Sequence, residues 1–180
     1  MTEEQLIKGC IQNDVACQRM LFEQYAGKLM TICLRYSCDR PEAEDMLQDA
    51  FIKIFSHIRQ YKFEGSFEGW MKRIVVNCAL KTIQKKKTRF LEITSHDTAS
   101  PQAESFALSS LSEDELIQLI SSLPDGYRVV FNLYVIEGYS HDEIAEMLRI
   151  QAATSRSQLV KARKLLQKQI LLNQKIAIQL

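Results

Sequence analysis

Ten consecutive residues, Tyr61-Lys-Phe-Glu-Gly-Ser-Phe-Glu-Gly-Trp70, hold four aromatic rings and two glycines and run straight into a basic stretch from Met71 to Lys87. Rings interleaved with cations suit a single nucleic-acid strand, because a base gains ~1–3 kcal/mol by stacking on a ring while lysine and arginine hold the phosphates. Phe67 and Trp70 could equally close a hydrophobic core, and the residues alone leave both readings open. A second stretch suits duplex DNA. Ser140-His-Asp-Glu143 has the Ser-x-x-Glu form of a capping box, in which the serine accepts from a free backbone N–H and the glutamate reaches back to the cap. The helix it opens places Ile144 and Leu148 inward, with small Ala145 where another helix can approach. After a break at Arg149-Ile-Gln151, a second helix is expected from Ala152 to about Lys168, with Leu159, Ala162 and Leu166 inward. Two helices and a tight turn form the helix-turn-helix pattern. Its outer face would carry Thr154, Arg156, Ser157, Gln158, Lys161 and Lys164, short polar groups suited to base edges followed by cations suited to phosphates. A helical hairpin of purely structural purpose is the plainer alternative.

The charge pattern favours nucleic acid. The net charge of +1 hides a sorting by segment: Lys72 to Arg89 holds seven cations and no acid, and Met147 to Leu180 holds seven more and no acid. An acidic run precedes each, Glu42, Glu44, Asp45 and Asp49 before the first, and eight acids against Arg128 between Glu113 and Glu146 before the second. Two basic surfaces beside two acidic ones suggest two polyanion sites, each next to a contact of another kind. Enzyme chemistry is disfavoured: His57, His96 and His141 are scattered, with no nucleophile, metal set or Gly-rich phosphate loop around them. No metal or cofactor is expected. Cys10, Cys17, Cys33, Cys38 and Cys78 are odd in number, contain no C-x-x-C pair, and read as buried reduced thiols.

The elements that must hold these residues are helical. Six Gly and three Pro in 180 residues, and apolar residues at three- and four-residue spacing, predict an all-α protein. Between Leu91 and Leu111 the periodicity stops and Ser, Thr, Ala and Pro take over, as in a flexible linker. The chain is therefore divided into a first helical domain over 1–90, a linker over 91–111, a second domain over 112–173 that begins at the capping box Ser112-Glu-Asp-Glu115, and a tail over 174–180. In the first domain Thr2 opens a helix, and a second, from about Val15 to Tyr36, carries Leu21, Phe22, Tyr25, Leu29, Ile32 and Cys33 on one face. Pro41 suits the first turn of a third. There Ala43, Met46, Leu47, Ala50, Phe51, Ile54, Phe55 and Ile58 follow the i, i+3, i+4 rule and leave Glu42, Asp45, Gln48, Asp49 and Lys53 outside. Composition alone reads that outer face as a solvated surface. No stretch has the ~18 uncharged apolar residues of a membrane span, and Met1-Thr-Glu-Glu-Gln lacks the order of a signal peptide. A cytoplasmic protein without membrane insertion is expected.

Taken in order, these motifs resemble the extracytoplasmic-function (ECF) group of bacterial RNA polymerase sigma factors, in the sigma-70 family. Residues 43–55, Ala-Glu-Asp-Met-Leu-Gln-Asp-Ala-Phe-Ile-Lys-Ile-Phe, look like the core-binding helix of sigma region 2, and residues 67–77, Phe-Glu-Gly-Trp-Met-Lys-Arg-Ile-Val-Val-Asn, like its promoter-melting segment. Leu123-Pro, Arg128, Glu137-Gly-Tyr-Ser and Glu143-Ile-Ala-Glu-Met-Leu148 look like sigma region 4. The resemblance implies that Asp45, Gln48, Asp49 and Lys53 grip the largest subunit of core RNA polymerase, and that the second-largest subunit is also a partner. It implies that Tyr61, Phe63, Phe67, Trp70, Arg73, Asn77 and Lys81 capture the single-stranded −10 element, with Asn77 at a flipped base, since an extruded base must recover a few kcal/mol of lost pairing. Thr154, Arg156, Ser157, Gln158, Lys161 and Lys164 would read the −35 element as duplex, and the linker, with Glu92, Asp97 and Glu104, would thread toward the active-site cleft. An anti-sigma factor is an implied partner. The chain departs from the family at Arg149 and Ala153, where glycine is usual. A left-handed Arg149 would cost about 1 kcal/mol. The reading held against this one is a stand-alone helix-turn-helix regulator whose first domain senses a ligand or dimerises.

Overall fold

The computed structural model describes residues 1–90 and 112–178, and within them every regular element is a helix. The chain divides into two compact units, Met1–Lys85 and Lys86–Leu180.

In the first unit, α1 (Glu3–Ile11) starts at Thr2, whose hydroxyl accepts from the Gln5 N–H while the Gln5 side chain returns the bond. Asn13, left-handed at φ 61, turns the chain into α2 (Val15–Tyr36), and Asp14 caps it by accepting from Ala16 and Cys17. The two helices meet so closely that a Cβ on Gly9 would lie 2.3 Å from Cys17 Sγ. Glycine is required there. Asp39 caps α3 (Arg40–His57), with Pro41 in its first turn, where a missing N–H costs nothing. The helix ends one residue before the expected Ile58, because the chain tightens into a 3-10 turn over Ile58–Gln60. A loop then leads to α4 (Phe67–Phe90). Leu21, Leu29, Ile54, Met71 and Val75 are fully shielded from solvent, each worth about 1.5–3 kcal/mol relative to exposure. One side chain expected in that core is not there: Phe22 stays 42% exposed, covering Phe51 at a ring distance of 4.7 Å. Phe55 is half-buried.

Polar contacts fix how these helices lie together. Tyr25 Oη donates to Glu3 Oε2 at 2.6 Å, joining α1 to α2. Glu68 bridges Lys28 of α2 and Lys72 of its own helix, at 2.8 Å each, and those two ammonium groups pull its carboxyl down to about 2.

In the second unit, α5 (Glu113–Ser121) opens at Ser112 with the expected capping box to Glu115. α6 (Asp125–Phe131) widens into a π turn over Asn132–Ile136; α7 (His141–Leu148) and α8 (Ala152–Ile178) follow. Ile120, Leu123, Val130, Leu133, Ile144, Leu159, Ala162 and Leu166 are buried. Buried with them is Arg128, 2% exposed, which donates to the Ser121 carbonyl at 2.6 Å and the Leu123 carbonyl at 3.0 Å and pairs with Asp125. The guanidinium thus supplies donors to the turn between α5 and α6. α8 continues through Ile178 instead of stopping near Lys168, and so enters the segment read as a tail. No Gly or Pro follows Ala152 to end it. The linker expected over 91–111 lies outside the described residues. No helix among them is long and apolar enough to cross a membrane.

Candidate nucleic-acid interface

The outer face of α3 is exposed where the sequence pattern places it. Asp45, Gln48 and Asp49 form one solvated row, since residues three and four apart are neighbours on a helix. Ile52, 67% exposed, continues the row by one turn. Lys53 does not join it: the side chain is half-buried and Nζ donates to Cys78 Sγ of α4 at 3.3 Å.

The aromatic segment divides into a floor and an exposed ring. Tyr61 is 8% exposed and Phe67 1%. Tyr61 Oη donates to the Gly65 carbonyl at 2.7 Å, and its ring meets Phe63, Phe67 and Trp70 at 5.1, 5.0 and 5.7 Å. Phe67 and Trp70 stack at 5.6 Å, and Trp70 is half-buried. The rings therefore part company: Tyr61 and Phe67 close the core, and Phe63 is left 47% exposed. The loop reaches this shape through two left-handed residues, Phe63 at φ 59 and Gly65 at φ 78. A non-glycine residue held there carries strain, which functional loops retain more often than others.

From this loop α4 carries Arg73, Asn77 and Lys81 on its exposed side while Met71, Val75, Cys78 and Ala79 are buried on the other. Steps of four place the three in one row about 12 Å long. The row offers two cations around one amide, and an amide can both donate to and accept from a base edge.

The helix-turn-helix forms as expected, with its capping box present: Ser140 donates through its N–H to Glu143 Oε2 at 2.7 Å and its hydroxyl accepts from the Glu143 N–H, which holds that carboxyl below its ordinary value. Arg149 ends α7 in the left-handed region, φ 54 and ψ 48. The Ile150 N–H reaches back to Ala145 and the Arg149 N–H to Glu146, the paired bonds of a Schellman ending that glycine normally supplies. On α8, Arg156 and Ser157 are exposed, Thr154 and Lys161 half-exposed, and Ser157 Oγ donates to the Thr154 carbonyl at 3.0 Å.

Two of the expected outer residues sit elsewhere. The Gln158 amide lies against α6, where a Cβ on Gly126 would stand 3.3 Å from Nε2. Lys164 is half-buried with its Nζ shielded from solvent, which lowers its proton affinity. Exposed Arg163, seven residues after Arg156, takes up the cationic row instead. Sequence reasoning also missed a buried joint: Ser155 is wholly shielded, its Oγ 2.9 Å from His141 Nδ1, and the His141 ring stacks on Tyr134 at 4.3 Å. A lone serine at an inward position gives no signal of such a partner. Neither unit gathers His, Cys, Asp or Glu as a metal site among the described residues.

Comparison with known proteins matches both units. The Sigma-70 region 2 family matches residues 21–89, and Sigma-70, region 4 matches residues 113–166. The ECF RNA polymerase sigma factor SigW of Bacillus subtilis is 30% identical over 158 residues, which cover 81% of this chain and 84% of that protein. The ECF RNA polymerase sigma-E factor of Haemophilus influenzae is 27% identical over 182 residues, 94% of this chain and 96% of that one. Among solved structures, the sigma factor RpoE in complex with the anti-sigma factor NepR from Bartonella quintana aligns with a TM-score of 0.49 at 18% identity, covering 83% of this chain and 94% of that one.

Proposed function

This chain belongs to the ECF group of the sigma-70 family, and from that premise we propose how its surfaces divide the work of a sigma factor. It binds core RNA polymerase, directs it to promoters and helps open the DNA. The Asp45, Gln48, Asp49 row on α3 is the polymerase contact, to the largest subunit, with Ile52 the apolar group at its end. Lys53, tied to Cys78 of α4, supports the row from behind and leaves direct contact to the others. Phe63 stacks on a base of the opened −10 strand, Asn77 bonds a flipped base, and Arg73 and Lys81 hold the flanking phosphates. Tyr61, Phe67 and Trp70 form the platform on which Phe63 is mounted. Arg156, Ser157, Thr154 and Lys161 face the −35 duplex. Gln158 and Lys164 brace α8, and the Arg149 turn and Ala153 shift its base preference from the family's usual one. The protein works in the cytoplasm, where core polymerase meets DNA, and the second-largest subunit and an anti-sigma factor are its further partners.

The observation that carries this reading is the joint placement, in one unit, of an exposed acidic row on α3, an exposed ring, Phe63, in the loop before α4, and an exposed cationic-amide row on α4. A stand-alone regulator has no use for either. Co-purification with core polymerase tests it. The wild-type protein is expected to be retained and the Asp45→Lys, Asp49→Lys protein lost, with both folded; retention of neither, or of both equally, contradicts the assignment.

A further inference from the structure

His141 is a titratable group that no surface described above uses. It is the first residue of α7, its ring lies 18° from parallel on Tyr134 of the π turn, and Nδ1 shares a 2.9 Å hydrogen bond with the buried Ser155 Oγ of α8. One imidazole thus joins both helices of the helix-turn-helix to the turn that precedes them. The charged groups acting on it are Arg156 and Arg163 of α8 and Asp142 of α7, and the titratable group stacked on it is Tyr134. Partial burial and then Arg156 hold its proton affinity below the ordinary imidazole value; Asp142 opposes them and Arg163 adds to them.

Both arginines are exposed on α8, the helix assigned above to duplex DNA, and the inference rests on that assignment. A phosphate drawn to Arg156 or Arg163 offsets the share of that lowering which the arginines cause and brings a negative charge of its own. Proton affinity at His141 must then be higher in the complex than in the free protein. Coupling between two ligands is reciprocal, so supplying the proton must tighten the DNA by the same factor. We propose that His141 takes up a proton when the helix-turn-helix engages duplex DNA. The joint survives the charge: Nδ1–H of the imidazolium donates to Ser155 Oγ, and the Tyr134 face receives a cation. Because the bound-state value is the higher one, the added affinity is complete below the free-state value and disappears as the pH rises through the bound-state value. Each unit of separation between the two gives a tenfold range in affinity.

The test uses the full chain and a fluorescent duplex selected by that chain from a random-sequence pool, titrated at fixed ionic strength from acid to alkaline buffer across the imidazole range. Wild-type binding is expected to tighten about tenfold from about pH 8 to about pH 6, and His141→Gln to lose that response. Calorimetry of the wild-type protein in buffers of different ionisation enthalpy gives a second readout that needs no variant, with net proton uptake expected on binding near neutral pH. Binding that is present but flat across this range, a response that persists in H141Q, or zero proton uptake overturns the inference alone. Failure to select any duplex removes the DNA assignment of α8, and the inference with it.

Discussion

Replacing Arg128 by Met should cost the second unit most of its stability. The guanidinium is 2% exposed and donates to the Ser121 and Leu123 carbonyls at 2.6 and 3.0 Å while pairing with Asp125. Methionine fills much of the same volume, so the loss is one of hydrogen bonds more than of packing. Each carbonyl left without a donor costs about 1–3 kcal/mol. The pair with Asp125, itself 34% exposed, adds about 0–1 kcal/mol because solvent screens it. The sum is about 2–7 kcal/mol, about 4 at its middle, against a total near the low end of the usual ~5–15 kcal/mol for so small a unit. With a guanidinium chloride slope of about 2–3 kcal/mol per molar, the midpoint should fall by about 1.5 M. The assay has a built-in reference, because the single tryptophan, Trp70, lies in the first unit and reports on it, while far-UV circular dichroism sees both. The circular dichroism transition of Arg128→Met should develop an early phase, with the Trp70 fluorescence midpoint unmoved. A shift below about 0.5 M in the early phase, which is ~1 kcal/mol at that slope, would refute the claim that these carbonyls depend on Arg128.

Three further outcomes follow from the geometry. Arg149→Gly relieves a left-handed non-glycine cap and should stabilise the second unit by about 1 kcal/mol, read as a higher denaturation midpoint; a lower midpoint contradicts the strain. Glu68 is held at about 2 by Lys28 and Lys72, a depressed value, so the stabilisation is present above its unfolded carboxylate value and fades as the pH falls toward about 2. Glu68→Gln, at a cost of about 1 kcal/mol after screening, should flatten that acid limb in a stability-versus-pH series. Phe63→Ala should weaken open-complex formation by the ~1–3 kcal/mol of one stacked base and leave closed-complex affinity unchanged, which permanganate reactivity of the melted strand distinguishes.

The sequence exposed the helices well because their signals are local. The capping boxes at Ser112 and Ser140 formed, Thr2 opens α1, and Ala43, Met46, Leu47, Ala50, Phe51 and Ile54 are buried in the row their spacing describes. Ends were less legible where no breaker stands: α8 passes Lys168 because only a Gly or Pro would have stopped it. Side-chain roles were hardest. Periodicity places Gln158 outside, but Gly126 of α6 leaves room for its amide. Composition counts Tyr61, Phe63, Phe67 and Trp70 as one aromatic set; a hydrogen bond to Gly65 and a left-handed Phe63 decide which ring faces solvent. Both depend on contacts that no single-position pattern encodes.

The central claim, that this chain gives core polymerase its promoter and opens it, is tested most directly by mapping transcript starts. Core polymerase would transcribe a library of random upstream sequences with and without the full chain. The account predicts transcripts only with the protein present, from templates that share two separated sequence elements, and their loss with Asn77→Ala. Absence of protein-dependent starts, from a preparation that binds duplex tightly without polymerase, would contradict it.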